Sequence, residues 1–213
     1  MWPAVTVRMQ VKGMVRIRLA RESDADAIAA IYAPIVGDTA ISFETAPPPP
    51  DDMARRIVET RSRYPWLVCD VGGVIAGYAY ATAHRTRAAY RWSVDTSAYT
   101  HPAHHRRGIG RALYVSLFEI LRAQGFVNAY AGITLPNEAS VGLHEAVGFS
   151  RIGVYRRVGY KLGKWHDVGR WHLGLQTPPE RPAELRPLPV VLEDPGWDDL
   201  VRTGEALIRA SAP

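Results

Sequence analysis

An α+β fold with a mixed, partly parallel central sheet flanked by helices is what this 213-residue sequence predicts. Three observations predict it. Strand-like and helix-like periodicities follow one another in the order β α α β β β α β α β β, which implies a sheet with both parallel and antiparallel neighbours. A glycine-bearing loop opens an amphipathic helix between the fourth and fifth strand runs, so that helix crosses between two parallel strands. Gly72-Gly73 joins the second and third runs as a hairpin turn.

Val15-Arg16-Ile17-Arg18-Leu19 alternates as an opening strand, and Ser23 can cap a helix over about 24–36 with Ala27, Ile28, Ile31 and Ile35 on one face. The Pro47–Pro50 run readily precedes a second helix over about 51–63. Strands follow near 66–71 and 74–83, and a longer one over about 89–99 that His101-Pro102 ends. Ala112, Leu113, Val115, Leu117, Ile120 and Leu121 recur at helical spacing up to Gly125. Residues 127–134 read as a strand, 139–147 as a short helix closed by Gly148, and the last strands lie near 150–158 and 168–175. Residues 1–13 read as an extension, with Met14 an alternative start, and 14–176 as the domain. From Thr177 the composition changes: seven of the 16 prolines fall in 177–213, where acids outnumber bases seven to four. This is a Pro-rich tail whose end, from Trp197 to Ala210, sets Trp197, Leu200, Val201, Leu207 and Ile208 on one helical side, suited to docking on the body or on a partner.

No apolar run approaches the ~20 residues needed to span a bilayer, and residues 1–15 lack the apolar stretch and cleavage site of a signal peptide. The single cysteine, Cys69, sits in an apolar strand and suits a reducing cytoplasm. No His/Cys cluster has metal-ligand spacing, so no metal is expected. His101, His104 and His105 instead flank the glycine loop.

That loop, His105-Arg106-Arg107-Gly108-Ile109-Gly110-Arg111, carries the chemistry. The first amides of a helix lack intrahelical partners and the macrodipole adds positive charge there, so an anion is held naturally. Glycines at 108 and 110 let backbone approach phosphate oxygens closely. Between His84 and Arg111 stand six arginines and one acid, Asp95, so this window nets +5, the whole of the chain's formal excess. Charge that brackets one strand and one helix start fits a compact polyphosphate better than a nucleic-acid duplex. Neither a P-loop nor a complete dinucleotide fingerprint is present.

The loop and several dispersed segments together resemble the GNAT-superfamily N-acetyltransferases, and within them the phosphinothricin and methionine sulfoximine acetyltransferases. The segments include Tyr64-Pro65-Trp66-Leu67-Val68, Gly77-Tyr78-Ala79-Tyr80, Ala89-Tyr90-Arg91-Trp92, Leu135-Pro136-Asn137-Glu138-Ala139-Ser140, His144-Glu145-Ala146-Val147-Gly148-Phe149 and Lys164-Trp165-His166-Asp167-Val168-Gly169. The resemblance covers about residues 15–176 and departs from the superfamily pattern at His105. It implies transfer of an acetyl group from acetyl-CoA, as co-substrate, to a small acidic amino-acid analogue by direct attack in a ternary complex. The rival readings are a GNAT enzyme acting on a protein N-terminus or lysine, and a non-catalytic acyl-CoA-binding module.

By the same resemblance, His105, Arg106, Arg107, Gly108, Ile109, Gly110 and Arg111 cradle the pyrophosphate, and the backbone of Ala98, Tyr99 and Thr100 bonds the pantetheine. Asn137 and Ser140 either contact the CoA arm or cap their helix. Asp95 stands where the family carries a base, usually glutamate. An unperturbed aspartate, with a pKa of ~3.9, is a poor base near neutrality unless desolvated, and pairing with Arg87 or Arg91 is the structural alternative. His144 stands where many of these enzymes protonate the leaving thiolate, or is simply packed. Phe43, Arg85, Arg87 and Tyr90 are implied around the acceptor's acidic groups, with the core as the alternative for Phe43. A homodimer paired through the terminal strands is expected, with no nucleic acid or membrane partner.

Overall fold

The computed structural model describes residues 15–209, so the readings of 1–13, Met14 and Ala210 lie outside the described residues. Strand β1 (Val15–Leu19) leads through a 3₁₀ turn into α1 (Ala25–Asp38) and α2 (Pro50–Arg61). Strands β2 (Trp66–Val71) and β3 (Val74–Ala83) form the hairpin, followed by β4 (Ser93–Thr100), α3 (Ile109–Gln124), β5 (Asn128–Leu135), α4 (Glu138–Ala146), β6 (Ser150–Lys161) and β7 (Lys164–Gly174). The sheet order is β1-β2-β3-β4-β5-β7-β6. Among the described strands only β4 and β5 run parallel, and α3 crosses between them.

Two strands differ from their sequence reading. Residues Ala88–Tyr90 form a 3₁₀ turn, closed by bonds from Tyr90 N to Arg87 O and from Arg91 N to Ala88 O, so β4 begins only at Ser93. The final hairpin is longer than read. Leu162 and Gly163 make its turn with φ of 50° and 77°, and β7 already starts at Lys164. Gly159 breaks no strand; it lies within β6, and the ring of Phe43 covers it so closely that a Cβ there would fall 2.1 Å from the ring.

One sheet face packs on α1 and α2 through Ile28, Ile31, Met53, Ile57, Trp66 and Tyr78. The other packs on α3 through Leu67, Cys69, Leu113, Leu117 and Leu121. Residues past 176 belong to this second core: Leu188 and Val201, in α5 (Leu188–Val191) and α6 (Trp197–Arg202), are buried in it, and Trp197, Leu200, Leu207 and Ile208 lean against it. The helix read over 197–210 is thus α6 plus a 3₁₀ turn at Glu205–Leu207. A Cβ at Gly204 would sit 1.9 Å from the Ala112 carbonyl oxygen, so glycine lets the tail lie directly on α3. Ser116 Oγ accepts the Gly204 N–H at 3.0 Å, and Glu205 Oε1 accepts the Ile17 N–H at 2.7 Å.

Exposed apolar side chains collect on the β6–β7 hairpin: Ile152, Tyr155, Val158, Tyr160, Leu162 and Trp165. β6 is an edge strand. A homodimer needs an apolar surface of this kind.

Candidate active site

Parallel pairing of β4 with β5 covers only Ser93↔Asn128, Val94↔Ala129 and Asp95↔Tyr130. Beyond Asp95 the strands part, leaving the edge of β4 from Thr96 to Thr100 unpaired on the β5 side. A channel occupies the gap, lined among others by Ala98, Tyr99, Tyr114, Asn137, Ser140 and His144. Its polar backbone edge can bond an extended ligand as a strand would.

The glycine loop lies where β4 ends. Among the described residues, the amides from Arg106 to Arg111 have no hydrogen-bond partner; the helical ladder begins with Ala112 N to Gly108 O. Arg106 and Gly108 both adopt left-handed backbone, with φ of 60° and 82°. Alternating hands turn successive amides into one concavity, an anion nest. At Gly110 a Cβ would come 3.0 Å from Leu143 Cδ2, so this glycine also seats α3 against α4. His105, the departure from the superfamily pattern, has its Nε2 3.2 Å from the Thr100 carbonyl and ties the loop to the strand end. Arg107 donates to His104 Nδ1 at 2.8 Å, while Arg106 and Arg111 are exposed. The tail meets the same loop: Arg209 N–H donates to Arg107 O at 2.9 Å.

His144 is 6% exposed on α4. Its Nδ1 lies 2.7 Å from Ser140 O, so Nδ1–H donates there, and Nε2 is left to accept from the Tyr114 hydroxyl at 2.9 Å. Burial holds the His144 pKa below its ordinary value, with the Ser140 carbonyl opposing in part, and pushes the Tyr114 hydroxyl up. At neutral pH, His144 is therefore an uncharged acceptor and Tyr114 a retained donor. Asn137 caps α4, its Oδ1 accepting from Ser140 N at 3.1 Å, and also lines the channel.

The lowered His144 pKa has a consequence for stability. Below the ordinary imidazole value of ~6.5 the unfolded chain binds a proton that the folded chain refuses, so stability is lost as pH falls from there toward the folded value. Wild-type Tm should drop more between pH 7 and 5.5 than that of His144→Gln, measured by thermal scans in matched buffers. Equal drops would show that His144 titrates freely.

Asp95 lies at the fork where the strands part, and its partners are not the expected Arg87 or Arg91. Its Oδ1 accepts from His84 Nδ1 at 2.9 Å and from Arg170 Nη2 at 3.2 Å. Arg91 instead pairs with Glu184 at 3.2 Å. The Asp95 side chain is 31% exposed. His84 stacks on Tyr130, with centroids 4.2 Å apart, and meets the edge of Tyr90 at 5.9 Å. Beside them a cavity of about 240 Å³ is lined by His84, Arg85, Tyr130, Ile152, Gly153, Tyr155 and Arg170.

Of the residues expected at the acceptor, Arg85 lines this cavity, with Nη1 bonded to His84 O at 2.8 Å, and Tyr90 stands at its His84 side. Arg87 is exposed at the start of the 3₁₀ turn and makes no ion pair among the described residues. Phe43 is neither core nor part of this cavity: it is 40% exposed and packs on Gly159, with its ring 6.3 Å from His166. Sequence reasoning missed His84, Arg170 and Tyr114. Only His84 left a local signal, eleven residues before Asp95 across a β3–β4 pairing that sets Ala83 opposite Val94.

A model of the acetyltransferase (GNAT) domain family matches residues 17–169. The phosphinothricin N-acetyltransferase of Streptomyces viridochromogenes is 41% identical over 79% of this chain and 93% of its own length. An L-methionine sulfoximine/L-methionine sulfone acetyltransferase of Salmonella typhimurium is 35% identical over 71% of this chain and 90% of its own. A GNAT phosphinothricin acetyltransferase of Sinorhizobium meliloti, solved in complex with AcCoA, superposes with a TM-score of 0.74 at 33% identity, covering 79% of this chain and 95% of that one.

Proposed function

Because the chain belongs to the GNAT acetyltransferase family, and is thereby an acetyltransferase, we propose that it moves an acetyl group from acetyl-CoA to the amino group of a small acidic amino-acid analogue, of the phosphinothricin or methionine sulfoximine kind. One observation carries the acceptor class: the cavity beside the fork of β4 and β5 has Arg85 and Arg170 in its wall. Guanidinium groups bind carboxylates and phosphinates through two parallel hydrogen bonds. Its volume of about 240 Å³ lies under the ~300–1,000 Å³ of pockets for drug-sized ligands. A protein N-terminus or lysine requires an open groove in place of this cavity.

Acetyl-CoA supplies the acetyl group already activated as a thioester. The free amides from Arg106 to Arg111, with the guanidinium groups of Arg106, Arg107 and Arg111 around them, hold its pyrophosphate. The unpaired edge of β4 at Ala98, Tyr99 and Thr100 bonds its amide-bearing arm along the channel, which Asn137 and Ser140 wall on the far side. Fixing both reactants at the fork converts a bimolecular reaction into an effectively unimolecular one. Asp95, at the fork, provides the negative charge that stabilises the site as the acceptor amine loses its proton. Across the channel, the Tyr114 hydroxyl gives its one hydrogen to Nε2 of neutral His144, and this pair is the polar group beside which the sulfur leaves. Tyr90 stands at the His84 side of the acceptor cavity, whereas Arg87 and Phe43 lie outside its lining.

The test is an acetyl-CoA-dependent screen of acidic amino-acid analogues, neutral amino acids and N-terminal peptides, read by mass gain of the acceptor. Acetylation of phosphinothricin, methionine sulfoximine or methionine sulfone at kcat/KM above the peptides is the expected result. A preference for peptides would overturn the acceptor class, and thioester binding without turnover would return the protein to a non-catalytic role.

A further inference from the structure

We propose that His84, oriented by Asp95, is the base that takes the acceptor's proton; the inference rests on the acetyl-transfer reading of the site given above. Asp95 accepts at Oδ1 from His84 Nδ1, 2.9 Å away. A carboxylate acceptor places the proton on Nδ1 and leaves the lone pair on Nε2, the arrangement by which an acid orients a histidine base. Among the described residues Nε2 has no hydrogen-bond partner, and His84 lines the acceptor cavity. The ring is held on two sides, stacked on Tyr130 at 4.2 Å and against the edge of Tyr90 at 5.9 Å, and only 11% of the side chain is exposed. Tyr130 is the partner of Asp95 in the last bonded pair of β4 and β5, so the imidazole stands at the mouth of the fork.

Chain chemistry makes the same assignment. The carboxylate oxygen that faces this region already serves two N–H donors, from His84 and Arg170. An aspartate is one methylene shorter than a glutamate, and the imidazole restores the missing reach. A histidine also exchanges protons near neutrality, where an ordinary carboxylate is a weak base. Arg170 counterbalances Asp95, so that the dyad forms without leaving an unpaired charge.

The step balances as follows. Nε2 of His84 takes one proton from the acceptor's ammonium group, giving an imidazolium beside Asp95 and a neutral amine. The amine nitrogen bonds to the thioester carbonyl carbon, the C–S bond breaks, and the second nitrogen proton leaves with the sulfur as the thiol. The imidazolium then returns its proton to solvent.

The experiment compares wild type, His84→Asn and His84→Ala on whichever amine wild type acetylates fastest, over pH 5.5–9 and with free imidazole added. His84→Asn keeps a donor toward Asp95 but has no base. It is expected to lower kcat by about a hundredfold or more, abolish the acidic limb of the pH–rate profile and leave the KM for acetyl-CoA nearly unchanged. Imidazole is expected to restore activity to His84→Ala in proportion to its unprotonated form. Binding of CoA, read as an upward Tm shift, confirms that each variant is folded. A folded His84→Asn with near wild-type kcat and an intact acidic limb, or a folded His84→Ala that imidazole does not rescue, would overturn the assignment while the acetyl-transfer reading stands. No turnover by wild type with any amine would sink both.

Discussion

Replacing Asp95 by asparagine is expected to lower kcat by about 10²- to 10⁴-fold with little change in the KM for acetyl-CoA. Asparagine has nearly the shape of aspartate, so the fork of β4 and β5 should be kept. What changes is the proton on His84. An amide nitrogen donating to Nδ1 leaves the proton on Nε2, and the lone pair then faces the wrong way; an amide oxygen preserves the tautomer but not the charge that stabilises an imidazolium. Arg170 loses its carboxylate partner at 3.2 Å in either case. Because the two side chains are 16% and 31% exposed, solvent takes up part of that loss, and the stability cost should stay near that of a partly exposed ion pair, about 1 kcal/mol or less. The discriminating measurement is the pH dependence of kcat/KM in wild type and Asp95→Asn, with Tm recorded for both. An unchanged kcat/KM together with an unchanged acidic limb would remove Asp95 from proton transfer.

Much of this arrangement is legible in the sequence because it is local. The glycine loop, its free amides and the start of the helix it opens lie within seven consecutive residues, and their meaning follows from helix-end electrostatics. Strand and helix order is equally local, since each element carries its own periodicity. The failures have a common cause in backbone bonds that periodicity does not encode. Ala89-Tyr90-Arg91-Trp92 alternates like a strand, yet its amides bond back three residues to form a 3₁₀ turn. Gly159 looks like a strand break, yet it is a flat spot in β6 beneath the Phe43 ring. Lys164 to Asp167 is too polar to read as strand, yet it continues a hairpin whose turn needs only two left-handed residues.

The partners of Asp95 were beyond sequence reasoning for a related reason. Arg170 reaches it across two strand pairings, β4 with β5 and β5 with β7, over 75 residues of chain. Nothing near Arg87 or Arg91 in the sequence signals that they turn away, one to solvent and the other to Glu184 and the face of Trp92. Tyr114 was hidden differently, as one more apolar position of α3; only the approach of α4 puts His144 Nε2 2.9 Å from its hydroxyl. The tail shows the same limit. Its composition marks it as different from the domain, but the body contributes what holds it: Ala112, Ser116 and Ile17.

Gly108→Ala is the second substitution with a large expected effect, a rise of about tenfold or more in the KM for acetyl-CoA. At φ +82° a residue with a Cβ costs about 1–2 kcal/mol, and 1.4 kcal/mol is already a factor of ten in an equilibrium constant. Here the backbone can also not stay where it is. The added carbon would lie 2.6 Å from the carbonyl oxygen of Leu207, part of a tail segment whose next bonds are Gly204 to Ser116 and Arg209 to Arg107. Either the loop moves, turning the amides of Arg106 to Arg111 away from one focus, or the tail lifts and Leu207 leaves the core. Both outcomes weaken the anion nest, and the second also lowers Tm. Gly73→Ala is the control, since φ is +88° there and nothing lies within 4 Å of the added carbon. It carries the same backbone penalty on a hairpin turn outside the loop, so it should lower Tm without raising the KM for acetyl-CoA. If Gly108→Ala behaves like Gly73→Ala, with Tm lowered and acetyl-CoA binding intact by calorimetry, the loop is not the pyrophosphate cradle.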